Sequence, residues 1–449
     1  MDSPPKDAKF LSVNDSEATK DELPTHVVEA LSTHRRFLWW SLLFLNASCL
    51  WAYYTCLSAQ NYYQSRFAST SFNFAFLTTP VSTWPMFVGH FFQVFFGLDK
   101  KLGMWTRVRL GYAIYILCAL AIILQDACDA TPETGAIVVL VAFGLVGFTN
   151  SLSEAALYAL SSLFPDAAFT NAIQLGNGTS GFINVTLSTL IQLCVGGLNP
   201  APADTMQIQK VSFYIFFSVL IVVCFLAVFL FYKLLQLPAV AYLMELNDAE
   251  TARREASRES FPVMWARLWR ILTTIAVPVA CQFLIFLCSL TAFPGIGISS
   301  GFQLAGPATW GGWYINGVLL SYNYGDFAGR ILAPCLYKYF TLSSCFVWSI
   351  ARWGLFVLLL LGLPGGGLNP LYCMASAHDF NIFWQLFVNF LLGLSTGVLS
   401  TITFGLGPRL VAQEDRESAG AIMCLGLFLG ISSGATIGWQ FGEHHWLGA

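Results

Sequence analysis

The sequence predicts an all-α polytopic membrane protein of about eleven transmembrane helices, arranged six plus five as in major-facilitator carriers. Three observations predict it. Only 10% of the 449 residues are charged and 56% are apolar, whereas a soluble protein averages about 25% charged. From Phe37 onward, apolar runs of membrane-spanning length follow one another almost to the C-terminus. The Lys and Arg residues fall almost entirely into alternate connecting segments. The same composition excludes a disordered chain and a set of soluble domains, which would lack the charge to cover their surfaces. A net charge of −3 also argues against nucleic acid as a partner. The lipid bilayer is the implied solvent.

Residues 1–36 are polar, contain Pro4, Pro5 and Pro24, and read as a disordered cytoplasmic tail without a signal peptide. Spans follow at about 37–59, 72–97, 107–127, 135–163, 169–198, 211–236, 266–293, 311–338, 343–363, 380–406 and 418–441. Span 1 ends in the aromatic group Trp51, Tyr53, Tyr54, Tyr62 and Tyr63, an interfacial belt by the usual rule. Trp51 is the deepest of them and is placed to stack on a flat ligand. Spans 2 and 7 contain Pro80, Pro85, Pro278 and Pro294, which free carbonyls and permit the kinks that gates use. Segment 237–265 is the longest inner loop, and its acids and bases alternate from Glu245 to Glu259. It separates a six-helix bundle, 37–236, from a five-helix bundle, 266–449.

With the N-terminus inside, eighteen of the 22 basic residues lie in inner segments. Only Arg66 and Lys210 lie in outer ones, and Arg330 and Arg352 fall inside spans. This asymmetry fixes the orientation, and an odd number of spans puts the C-terminus outside. Of twelve cysteines, most fall within spans and act as small apolar residues. Cys128 and Cys373 fall in outer loops, either as free thiols or as a disulfide. The sequons at Asn46, Asn177 and Asn184 lie within spans, and that at Asn14 in the inner tail, so none is a glycosylation site.

Ionisable groups inside a span are expensive and mark function by default. Asp326 and Arg330 are four residues apart on span 8 with the acid first, the favourable order for a helical pair. At about 100° per residue, Asn323, Asp326 and Arg330 share one face, which must point into a bundle or a wet cavity. Glu154 lies on span 4 between Asn150 and Tyr158, with no basic residue in helical reach. An unpaired carboxylate in hydrocarbon costs several kcal/mol unless it is neutralised or bonded. Protonated, Glu154 would carry a proton; ionised, it would accept N–H groups from a ligand. Asp326 is the second candidate for proton coupling. Gln174, Asn177 and Gly181 share a face of span 5, and Gln174 and Asn177 join Trp51, Glu154, Asn323, Asp326 and Arg330 as candidate substrate-binding residues. Close helix packing is the plainer reading for Gly176, Gly178, Gly181 and Gly329. Pro294 is assigned to gating, and Arg352, near the start of span 9, to packing, to an inner gate, or to snorkelling toward the interface. His90 is the only histidine in a span. No metal-ligand spacing, Gly-rich phosphate loop or nucleophile elbow occurs, so no metal, cofactor or catalytic residue is expected.

Several stretches together resemble the equilibrative nucleoside transporter family. Span 8 carries Asn323-Tyr324-Gly325-Asp326-Phe327-Ala328-Gly329-Arg330, which matches the family's Asn-x-x-Asp-x-x-Gly-Arg at all four fixed positions. Gly407-Pro408-Arg409 and Glu417-Ser418-Ala419-Gly420-Ala421 are near-identical to a second family signature. Leu163-Phe164-Pro165, Gly176-Asn177-Gly178 and Phe293-Pro294 add to the likeness. The resemblance implies a major-facilitator-like fold with rocker-type alternating access. It also implies that Asp326 and Arg330 contact sugar hydroxyls, that Glu154 stands where the family usually offers a Gln to the base, and that Trp51 stands near the family's base-stacking Trp. The family's Pro-Trp-Asn is absent, and Leu50-Trp51-Ala52-Tyr53 stands instead. Because an ionised carboxylate only accepts, Glu154 points to the N–H-rich edges of purines. Some protozoan members of the family are proton-coupled, and some prefer free nucleobases. The expected activity is plasma-membrane transport of a purine nucleoside or nucleobase. A major-facilitator carrier of another solute is the nearest alternative. A membrane-embedded enzyme would rest on His378-Asp379 alone, and a receptor would be expected to have seven spans.

Overall fold

A computed structural model of the protein describes residues 24–72, 74–96, 102–164, 166–197, 205–245, 261–293, 313–361, 378–412 and 415–443. Each predicted span coincides with helix. The helices are α1 (Thr25–Thr33), α2 (Arg35–Ser58), α3 (Gln60–Arg66), α4 (Phe74–Phe96), α5 (Met104–Ala127), α6 (Pro132–Ser162), α7 (Ala167–Gly196) and α8 (Thr205–Leu235) in the first half. The second half holds α9 (Phe261–Thr274), α10 (Ala276–Thr291), α11 (Trp313–Leu336), α12 (Leu342–Ala351), α13 (Trp353–Leu361), α14 (His378–Leu406) and α15 (Arg416–Glu443).

Local chemistry starts these helices where the sequence turns polar. Thr131 caps α6 by accepting from the Thr134 amide, with Pro132 in the first turn. Asp166 caps α7 by accepting from Ala168 N. Thr341 and Ser344 form a reciprocal capping box on α12. Among the described residues, seven helices are long and apolar enough to cross a membrane, and the bent pair α9–α10, taken as one span, makes an eighth. The helices α2, α4 and α11 are equally long, at 23 to 24 residues, but more polar, and they carry or adjoin the buried polar groups described below.

Two predictions are corrected and a third is made specific. The tail is not irregular throughout: Thr25–Thr33 is helical, and its Val27 and Leu31 are buried in the first-half core. The kink that the prolines of span 7 permit is present: the span bends by 72° between α9 and α10, where Pro278 has no N–H to give the Thr274 carbonyl, and α9 is amphipathic, with Leu268 and Ile271 buried while Trp265, Trp269 and Arg270 are exposed. Arg352 does not snorkel. It sits at the turn between α12 and α13, in the middle of span 9, and is buried. Of the loop 237–265, residues 238–245 are helical and 246–260 lie outside the described residues, as do Pro294, Cys373 and residues 1–23. Cys128 is a free, exposed thiol.

The first half packs around a core that includes Leu42, Tyr63, Tyr112, Phe143, Leu157 and Phe217. The second half has two smaller cores, one around Ile285, Ile402 and Met423 and one around Val318, Tyr322 and Leu392. Two antiparallel seams join the halves, α4 on α15 and α7 on α11. On the first seam, Trp84 Nε1 donates to Thr436 Oγ1 (2.9 Å), Ser432 Oγ to Thr83 O (2.9 Å) and His90 Nε2 to Ala421 O (2.9 Å). On the second, Asn316 Nδ2 donates to Gln192 Oε1 (2.6 Å), and Thr186 and Tyr324 share a hydrogen bond of 2.9 Å. Phe182 stacks on Phe327 one turn beyond the Thr186–Tyr324 bond, on the side of Arg330.

Candidate substrate-binding site

Where α6, α7, α2 and α11 meet, the polar residues singled out in the sequence form one hydrogen-bonded cluster. Arg330 Nε donates to Asp326 Oδ2 at 2.8 Å within α11, the pair expected from the i, i+4 spacing. Arg330 Nη1 then crosses to the other half and donates to both Oε1 and the main-chain oxygen of Gln174, each at 3.0 Å. Gln174 Nε2 donates to the Tyr158 hydroxyl (2.9 Å), which also accepts from Asn177 Nδ2 (3.1 Å). Asn177 Nδ2 reaches Glu154 Oε1 at 3.1 Å, and Asn150 Nδ2 reaches Glu154 Oε2 at 3.3 Å. Asn46 of α2 donates to Ile173 O (2.8 Å) and to Asn177 Oδ1. The cluster thus runs from Asp326 in the second half to Glu154 in the first.

All of its members except Tyr158, which is partly buried, are buried, so water cannot supply missing partners cheaply. Most polar atoms are satisfied. Asp326 Oδ1 is an exception: it is buried with no hydrogen-bond partner among the described residues. A carboxylate oxygen left in this way keeps unused capacity to accept from an N–H or O–H group.

Glycines set the spacing. A Cβ at Gly178 would press on Arg330 Cδ, one at Gly181 would overlap Asn323 Oδ1 and press on Tyr54, and one at Gly176 would meet the Leu43 carbonyl. Gly329 lies against the α14 backbone at Leu394. Asn323 donates to Leu319 O (2.8 Å) within α11 and faces Gly181. Trp51 is packed in the first-half core, and its main-chain oxygen accepts from Asn184 Nδ2 at 3.5 Å. Tyr54, one turn further on, is the span 1 aromatic against Gly181. Arg352 belongs to a separate knot. It donates to Ile285 O (2.7 Å), Leu392 O (3.0 Å), Ser289 Oγ (2.9 Å) and Thr396 Oγ1 (2.6 Å), tying α10 and α14 at the break in span 9.

Asn46 and Tyr54 were not marked as site residues by sequence reasoning. Asn46 read only as a sequon without glycan, and Tyr54 as part of a belt. Asn150 and Tyr158 were visible as the helical neighbours of Glu154. Their shared face was the signal, and the structure places both on its carboxylate network.

Two helical bundles that meet along two seams, with a buried charged cluster crossing between them, define a membrane carrier of the major-facilitator architecture. A solved D-xylose–proton symporter has this fold, with a TM-score of 0.61 over 90% of this chain and 89% of that one at 12% identity. The chain belongs to the nucleoside transporter family, whose model matches residues 140–443. It is 24% identical to equilibrative nucleoside transporter 1 of Homo sapiens, over 77% of each chain. It is also 24% identical to equilibrative nucleotide transporter 1 of Arabidopsis thaliana, over 85% of this chain and 81% of that one.

Proposed function

We propose that this transporter moves purine nucleosides, purine nucleobases or both across the plasma membrane by alternating access. In this reading Asp326 and Arg330 hold the sugar hydroxyls or the polar edge of the ligand, and Glu154, oriented by Asn177 and Asn150, reads the base. One observation carries it: a single buried network that spans both halves and ends in a spare carboxylate oxygen, Asp326 Oδ1. A hydroxyl that donates to Asp326 and accepts from Arg330 satisfies both groups at once. A carboxylate at Glu154 favours ligands that present N–H groups, as guanine, hypoxanthine and the adenine amine do. Because a carboxylate can also take up a proton where an amide cannot, Glu154 is the proposed point of proton coupling.

Uptake measured across pH for the wild type and Glu154→Gln tests the reading. The expected result is a flatter pH profile in the variant and a changed ranking among purines. An unchanged profile together with an unchanged ranking would remove Glu154 from both roles.

A further inference from the structure

We infer that Gln174 is a built-in competitor for the Arg330 guanidinium, and that its amide partners this buried cation during the substrate-free half of the transport cycle. The inference rests on the proposed role of Arg330 in binding substrate.

The geometry is asymmetric about the ion pair. On the carboxylate side, Asp326 uses Oδ2 for Arg330 and leaves its buried Oδ1 without a partner among the described residues. On the guanidinium side, both Nη1 hydrogens are committed to the side-chain and main-chain oxygens of Gln174. A ligand hydroxyl that donates to Asp326 Oδ1 while accepting from Arg330 Nη1 must therefore displace the Gln174 amide oxygen.

The amide is held in place to compete. Its nitrogen donates to the Tyr158 hydroxyl, which fixes the oxygen end toward Arg330. Tyr158 is itself held by Asn177 and by stacking on Phe404 of α14, with ring planes 14° apart. Gln174 is 2% exposed and Arg330 7%. Asp326 Oδ2 takes only the Nε hydrogen, and guanidinium hydrogens left without acceptors at that depth are costly, so in a carrier that recloses without cargo the Gln174 oxygens serve Nη1. Among the described residues, the Gln174–Arg330 tie is also the only polar link between α7 and α11 that involves a charge. It breaks when those helices part and re-forms when the empty carrier closes.

The test uses the full chain in proteoliposomes, with radiolabelled adenosine and hypoxanthine as probes. Gln174→Met keeps the side chain's length and removes the amide. It is expected to tighten Kd by about three- to tenfold, because a charge-assisted hydrogen bond no longer has to be displaced. Equilibrium exchange should persist while zero-trans uptake falls at least about threefold, since only the latter requires the empty carrier to return. Gln174→Glu holds Arg330 harder and is expected to weaken binding. Weaker binding in Gln174→Met, with both transport modes falling together, would make Gln174 an ordinary ligand contact and overturn the inference. So would unchanged values in Gln174→Met, or unweakened binding in Gln174→Glu. The underlying reading fails separately: it fails if Asp326→Asn and Arg330→Lys bind both probes like the wild type.

Discussion

Asp326 and Arg330 show how far single residues can be read from sequence. Their i, i+4 spacing alone brings the carboxylate to the guanidinium, and the helix delivers it. Glu154 was legible as an anomaly but not by its partners. Asn177 is 23 residues away on another helix, and no local rule predicts which face of α7 meets α6. Arg352 was misplaced for a related reason. Hydropathy reads a span as a uniform apolar rod, yet here the rod breaks to let one cation collect carbonyls and hydroxyls from α10 and α14. Arg352→Lys, with one compact ammonium in place of a planar fork, should lose part of that knot. The expected cost is about 2 kcal/mol, seen as a lower thermal unfolding midpoint in detergent, with substrate Kd unchanged. Asp326→Asn keeps the shape but loses the charge. It should weaken binding of a nucleoside at least about tenfold, measured by scintillation proximity on the purified protein.

At the scale of the helix, the close contact of α11 with α14 sets the position of the ion pair. Gly325 and Gly329 on α11 interlock with Gly393 and Gly397 on α14, each glycine lying where a Cβ would overlap the partner's backbone. Such paired small-xxx-small surfaces let helix axes approach closely in lipid. Gly397→Ala should therefore push α11 away from α14, at a cost of about 1–3 kcal/mol, and reduce transport by moving Asp326 and Arg330. Gly420→Ala, in open space on α15, is the matched control and should leave unfolding and uptake as in the wild type. The positions of the helices were legible because length and apolarity define them. A kink in span 7 was legible from Pro278, in the first turn of α10, but its 72° size was not, because the angle depends on how α9 and α10 pack.

At the scale of the whole molecule, the basic residues that set the predicted orientation also leave two exceptions, Arg66 and Lys210. The structure accounts for both. They converge on Asp126, 1% exposed at the end of α5, at 3.5 and 3.6 Å. The same carboxylate accepts from Tyr62 OH at 2.5 Å and Tyr214 OH at 2.8 Å. These two cations are thus bound into the end of the first bundle, where they tie α3 and α8 to α5. Asp126→Asn should weaken that cap and lower the unfolding midpoint by an amount equivalent to about 1–3 kcal/mol, while exchange rates of the folded protein stay near wild type. The long charged segment after span 6 suggested where the chain divides, but the seams were not legible, because they depend on which helix faces meet.

Under the proposed function, one cross-bundle cluster, from Asp326 to Glu154, selects purines. The most direct measurement is competition uptake in a transport-deficient cell, with adenosine, inosine, guanosine, uridine, adenine and hypoxanthine as competitors at two pH values. Purines are expected to compete well and uridine poorly, with the discrimination reduced in Glu154→Gln. Uridine competing as strongly as the purines, or a discrimination that Glu154→Gln leaves intact, would contradict the account.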